Sequence, residues 1–183
     1  VREEIAFGPR NLGLSAVETQ RRVDETLALF GLESQADRPP AMLGYGLRRQ
    51  VTVASLFAVR PSILILDEPT TGLDWATARL LLDGLQELCE AGHTILLITH
   101  DMRLVAEYVQ RVLLLHKGAL LAQGTTREIF AQPDLLARVS VSPPPVTRLS
   151  HSLRAWGMGG DSLTVASFYR EVVSLTSARS RAS

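Results

Sequence analysis

Four consecutive aliphatic residues, Ile63, Leu64, Ile65 and Leu66, run without polar interruption into Asp67 and Glu68, and Pro69 with a Thr70-Thr71-Gly72 turn follows. An unbroken apolar run of strand length reads as a strand buried on both faces of a parallel sheet. Two carboxylates at its C-terminal end fall where open α/β sheets place their ligand crevice. One carboxylate in such a place can hold a metal through water, and its neighbour can orient a nucleophilic water. The plain alternative is a core strand whose two loop acids are merely solvated. The rest of the chain decides between them.

Residues 1–14 are punctuated by Gly8, Pro9 and Gly13 and read as a turn-rich entry segment. Ser15 with Glu18 three residues on is a capping box, and Val23, Leu27 and Phe30 recur on one helical face before Gly31 stops it. Residues 35–41 form a Pro-broken connection. Residues 42–50, MLGYGLRRQ, are a glycine-bearing loop feeding a helix that runs to Val59, with Arg60-Pro61 as its terminator. After the strand, residues 75–91 read as a helix with Leu81, Leu85 and Leu88 on one face, and residues 94–99, TILLIT, as a second buried strand ending at His100-Asp101. Strand, helix, strand is a βαβ unit. Asp101 then caps a helix with Met102, Val105, Ala106 and Val109 inward. Residues 111–123 hold two apolar runs around His116-Lys117-Gly118, a hairpin signal, and Thr125 with Glu128 is a second capping box. From Gln132 the composition changes: Pro143-Pro144-Pro145 reads as a stiff spacer, residues 157–160 as flexible, a short helix lies around Val165, Phe168 and Val172, and residues 174–183 as a frayed tail.

Composition narrows the function classes. Nineteen basic and nineteen acidic residues cancel, so no net field points to nucleic acid or an anionic membrane. The single cysteine, Cys89, excludes an internal disulfide and reads as a buried, inert thiol on the leucine face of its helix. No stretch approaches the roughly 18 apolar residues of a spanning helix, and no charged-then-apolar leader opens the chain.

Four features occur in fixed order: the glycine loop opening a helix, LILDEP, TGLD, and a strand ending in Thr99-His100. Together they resemble the signature loop, Walker B strand, D-loop and H-loop of an ATP-binding cassette (ABC) nucleotide-binding domain. That resemblance implies an α/β, P-loop NTPase-like fold, of which this chain is the C-terminal two-thirds, with a mainly parallel sheet, a late antiparallel hairpin and a short C-terminal extension. It implies ATP and Mg²⁺ as ligands and assigns roles: Asp67 to the metal, Glu68 to polarising the attacking water, His100 to the γ-phosphate, and Asp74 to the D-loop that crosses the dimer interface. Phosphoryl transfer needs positioning and charge stabilisation, which suits these residue types. An isolated histidine in the place of His100 would read as a surface group beside a helix cap; its company gives it the other reading. His93 and His116 lack such company and read as structural.

The chain departs from the family pattern twice. No G-x-x-x-x-G-K-[ST] phosphate loop occurs in the 183 residues, nor is the family's glutamine-bearing coupling loop seen. With Val1 rather than Met at position 1, an N-terminally truncated cassette is expected, and the isolated chain is expected to bind ATP poorly. The signature pattern LSGGQ is met by Leu43, Gly44, Tyr45, Gly46 and Leu47. In the family this loop grips ATP bound to the opposite subunit from a helix N-terminus. Gly44 removes a hydroxyl donor to a charged group, a bond worth about 1.5–3 kcal/mol, and Tyr45 adds bulk near the phosphate path. The composite site built on this loop is expected to be weakened, giving asymmetric hydrolysis; sequence error or decay is the other explanation.

Residues 5–14, IAFGPRNLGL, and the stretches PPPVTRLSHSL and SLTVASF resemble the energy-coupling factor (ECF) importers and the related cobalt and nickel uptake ATPases. The expected organisation is a helical signature subdomain over 1–60, an ATPase core over 61–131 and an ECF-type extension over 132–183. The resemblance implies a second ABC ATPase domain as partner, separate or fused in tandem, a transmembrane coupling subunit, a substrate-binding membrane subunit, and a peripheral place on the cytoplasmic face of the plasma membrane. Vitamins, cobalt and nickel are its substrate classes. A soluble ABC ATPase acting on nucleic acid or ribosomes is disfavoured by the neutral charge. A non-catalytic fragment that only pairs with a partner cassette stays open.

Overall fold

The computed structural model describes residues 1–181, and the chain divides into two compact units, Val1–Thr99 and His100–Ser183. The first unit begins with three mutually packed helices, α1 (Arg2–Asn11), α2 (Ala16–Leu29) and α3 (Tyr45–Ala58). The entry segment is therefore helical, not turn-rich. Gly8 and Pro9 lie inside α1, and packing overrides their poor propensity: Ile5 and Ala6 are buried, and a Cβ on Gly8 would stand 2.5 Å from Val59 Cγ2. Glycine is what lets α1 approach the end of α3.

Ser15 caps α2 by accepting from the Glu18 N–H at 3.2 Å. The reciprocal half of the expected box is diverted, because the Glu18 carboxylate takes Arg21 and Arg22. Those two guanidiniums hold its carboxyl down at about 2. Arg22 also donates to the Val59 carbonyl at 3.1 Å, placing a cation at the C-terminus of α3, where the helix dipole favours it. Val23, Leu27 and Phe30 are buried as their spacing requires. Gln50, a buried polar side chain, is satisfied by donating to the Phe30 carbonyl at 2.7 Å.

Arg60 takes a left-handed conformation (φ +58°) after α3, and β1 (Ile63–Asp67) follows. It pairs in parallel with β2 (Thr94–Ile98), Ile63 opposite Thr94 and Asp67 opposite Ile98, and α4 (Trp75–Glu90) makes the crossover. The expected burial on both faces is not observed. Leu64 and Leu66 are 6% and 5% exposed, but Ile63 and Ile65 are 61% and 60% exposed. Successive strand residues face opposite sides, and α4 packs on this sheet while, among the described residues, the face bearing Ile63, Ile65, Leu96 and Ile98 stays open. Cys89 is likewise exposed rather than buried, although Leu88 beside it in the last turn of α4 is buried. His93 is structural as expected: its Nδ1 lies 2.7 Å from the Pro61 carbonyl oxygen, and its ring meets Phe57 edge-on.

The second unit opens with α5 (Met102–Tyr108), capped by Asp101, which accepts from the Arg103 and Leu104 N–H groups. Strands β3 (Arg111–His116) and β4 (Ala119–Thr125) form the antiparallel hairpin. Lys117 and Gly118, both at positive φ, make a two-residue turn of the kind that matches strand twist. The Thr125–Glu128 capping box is complete and opens α6 (Thr126–Phe130). A core of Val105, Leu114, Ile129, Phe130 and Leu136 joins these elements with α7 (Pro133–Arg138). Pro145 belongs not to a spacer but to the first turn of α8 (Pro145–Ser152), a position proline suits because its missing N–H is unneeded there. The segment 157–160 is tied down: Met158 is buried, and Glu171 accepts from the Gly159 N–H. The last helix, α9, spans Val165–Arg181, so the expected frayed tail is helical as far as it is described, and residues 182 and 183 lie outside the described residues.

Candidate functional site

Asp67 ends β1 and is exposed. Glu68 continues the ladder by one bond, its N–H donating to the Ile98 carbonyl at 2.9 Å, then breaks strand geometry at φ +45°. A left-handed glutamate is uncommon and strained, and such residues concentrate at functional sites. Its carboxylate is steered by Thr71, whose Oγ1 donates to Oε2 at 3.1 Å. The turn closes through Thr71 N–H to the Glu68 carbonyl and Leu73 N–H to the Thr70 carbonyl, at 3.3 and 3.1 Å. Gly72 sits at φ +78°.

Asp74 is the N-cap of α4, accepting from the Thr77 N–H and Thr77 Oγ1, each at 2.9 Å. The Thr77 backbone bond, followed by the hydroxyl, lowers its carboxyl below the ordinary aspartate range. The signature loop packs on this turn. Leu43 is buried, Gly44 is the N-cap of α3, and no side chain caps that helix; Tyr45, Gly46 and Leu47 thus supply first-turn N–H groups that lack intrahelical acceptors. Tyr45 lies across Gly72, where a Cβ would meet its Cε1 at 2.9 Å, and Gly46 approaches Thr77 and Leu73. Arg49, one turn into α3, donates to the carbonyls of Asp67, Glu68 and Pro69 at 3.2, 2.9 and 3.4 Å.

Within the first unit the fold thus gathers Asp67, Glu68, Asp74, Leu43, Gly44, Tyr45 and Gly46. His100 is exposed and is the first residue of the second unit; its link to the group is connectivity, two residues beyond Ile98, the partner of Asp67 in the ladder. Sequence reasoning missed Arg49 and Thr71. Arg49 carries no motif of its own, whereas Thr71, a hydroxyl three residues after Glu68 in a turn, was open to inspection.

An exposed carboxylate at a strand end, beside a second one, suits Mg²⁺, which takes hard oxygen ligands and keeps most of its waters. Among the described residues no group of three or more His, Cys, Asp or Glu side chains could form a complete metal cage. A one-carboxylate site that relies on waters and phosphate oxygens needs none.

The family model described as "AAA domain, putative AbiEii toxin, Type IV TA system" matches residues 4–106, more than half of the chain. The energy-coupling factor transporter ATP-binding protein EcfA of Methanothermobacter thermautotrophicus is 40% identical over 176 residues, 96% of this chain and 57% of that protein. EcfA of Methanocaldococcus jannaschii is 37% identical over 149 residues, 81% and 53% of the two. The solved structure of cbiO1 from Clostridium perfringens, described as part of the ABC transporter complex cbiONQ, aligns with a TM-score of 0.65 at 32% identity, over 82% of this chain and 59% of that one. The fold is that of an ABC ATPase domain. The chain belongs to the family of energy-coupling factor transporter ATP-binding proteins. It spans somewhat over half the length of the EcfA relatives.

Proposed function

We propose that this chain carries the metal- and water-handling part of an ATPase that powers an ECF-type importer, in a protein peripheral to the cytoplasmic face of the membrane. The observation that carries the reading is Glu68: left-handed, with its carboxylate steered by Thr71, immediately after the strand-end carboxylate Asp67. In this reading Glu68 accepts a hydrogen bond from the attacking water and orients it toward the γ-phosphate. Asp67 would hold Mg²⁺, which when bound supplies charge neutralisation between phosphate oxygens. His100 donates to the γ-phosphate from the end of the neighbouring strand. Asp74 and the loop of Leu43, Gly44, Tyr45 and Gly46 face a second ABC ATPase domain, with the free N–H groups opening α3 directed to nucleotide held by that partner. The membrane partners are a transmembrane coupling subunit and a substrate-binding subunit; vitamins, cobalt and nickel are the substrate classes. No helix among the described residues is long and apolar enough to cross a membrane.

The domains follow the same reading: a helical signature region over 1–60, the ATPase core over 61–131 and the extension over 132–183. Residues 1–183 alone should show no saturable ATP binding, because they contain no phosphate-loop sequence. The deciding experiment is Glu68→Gln in the full-length assembly, measuring steady-state hydrolysis and nucleotide binding together. Turnover should fall at least about 100-fold with binding retained, in line with the loss of a positioned general base. Unchanged turnover would refute the assignment. The second reading, a non-catalytic cassette that only pairs with a partner, predicts that same unchanged turnover.

A further inference from the structure

We infer that Arg49 is a positioning residue for the water-polarising glutamate, which holds the left-handed turn at Glu68 from behind. The inference rests on the reading of Glu68 proposed above. A guanidinium is a rigid planar fork, and here Nη2 donates to the Asp67 and Glu68 carbonyls while Nε donates to that of Pro69. Three successive carbonyls can converge on one planar donor set only if the backbone turns sharply between them. In an extended strand, successive carbonyls point to opposite edges. The positive φ at Glu68 is that turn.

The peptide is held from the opposite direction as well, since the Glu68 N–H is bound to the Ile98 carbonyl. Thr71 then fixes the carboxylate itself. Arg49 is half-buried, so solvent competes with these bonds less than it would at an open surface. It is also carried by the helix whose N-terminus bears Tyr45 and Gly46. A movement of α3 would thereby reach the backbone of Glu68 through the guanidinium's three bonds rather than only along the connecting chain.

Two measurements test this. In the chain of residues 1–183, Arg49→Met should accelerate amide hydrogen exchange at Glu68, Thr71 and Leu73 at least about tenfold, while Ile65 and Leu66 within β1 stay protected. In the full-length assembly, the same substitution should lower kcat for ATP at least about tenfold and move KM less than about twofold. Arg49→Lys, a single-point donor, should fall between, and millimolar guanidinium should partly restore Arg49→Met but not Glu68→Gln. If Arg49→Met does not fold, Arg49→Lys decides by the same kcat-against-KM split. Exchange at Glu68 and Thr71 unchanged, or kcat unchanged while Glu68→Gln is inactive, overturns the role of Arg49 alone. Full activity of Glu68→Gln overturns the underlying reading instead.

Discussion

The contact between Gly8 and Val59 makes a quantitative test of why the entry segment is a helix. Replacing Gly8 by Ala places a methyl 2.5 Å from Val59 Cγ2, about 1–1.5 Å inside the ordinary carbon–carbon separation of about 3.5–4.0 Å. Val59 is β-branched and stiff at χ1, so the clash is relieved only by parting α1 from α3. Overpacking of this kind costs about 1–3 kcal/mol, and the better helix propensity of Ala returns about 1 kcal/mol. Gly8→Ala should therefore destabilise the chain by about 0–2 kcal/mol. In a Val59→Ala background the clash is gone and the methyl keeps an ordinary van der Waals contact with the Ser55 carbonyl at 3.7 Å; the propensity gain remains, and the same substitution should stabilise by about 1 kcal/mol. The coupling between the two sites is then about 1–3 kcal/mol, measured by urea denaturation of the four proteins in a double-mutant cycle followed by far-UV circular dichroism. A coupling below about 0.5 kcal/mol, the additivity of independent sites, would refute the claim that close approach selects glycine here.

Phe130→Ala removes one of the largest fully buried side chains and should cost about 3–5 kcal/mol, seen as loss of the second unit's structure at lower urea. Tyr45→Gly restores the family residue yet removes the ring that covers Gly72; with a helix-start glycine added, it should destabilise by about 1–2 kcal/mol, read by thermal melting. His151 has its imidazole pushed below its ordinary range, first by burial and then by Arg154, and its Nε2 is buried without a partner. Its folded value lies below its unfolded value of about 6.5, so its contribution is complete above that pH and is lost as pH falls through the lower folded value. His151→Phe should flatten the stability profile on the acid side of about pH 6.5, measured by urea midpoints as pH is lowered from there; an unchanged slope would count against it.

Elements whose cause is local were legible in the sequence. Ser15, Asp101 and the Thr125–Glu128 pair cap the helices they were expected to open, because a cap needs only neighbours within one turn. The βαβ crossover and the hairpin followed from apolar runs and a Lys-Gly turn. Elements whose cause is remote were not. Gly8 and Pro9 read as breakers, and only the packing of α1 on α3 makes them helical. The run at Ile63 announced a strand, but its burial depends on which elements lie over each face, which the strand's own composition does not encode. Cys89 followed the leucine spacing and still emerged exposed while its neighbour Leu88 is buried, because periodicity marks a helix face but not which side of that face's edge a single residue falls on. Pro145 is the exception: proline at a helix start is a local signal that the triple-proline composition obscured.

The departure at Tyr45 now has two sides. Read as sequence, it places a bulky ring in a loop that the family keeps small for phosphate. In the fold, the ring lies over Gly72, so the signature loop and the Thr71–Asp74 turn share one packing contact. That turn also carries Thr71, which steers the Glu68 carboxylate, and Asp74, which caps α4. Arg49, one turn further along the same helix, binds the backbone on the other side of Glu68. On the proposed reading, a residue that would weaken one composite site through the signature loop would therefore also brace the turn beside the chain's own Glu68. Loss at one site and rigidity at the other would then come from a single residue, and an asymmetric pair of sites is the arrangement in which both consequences could persist together.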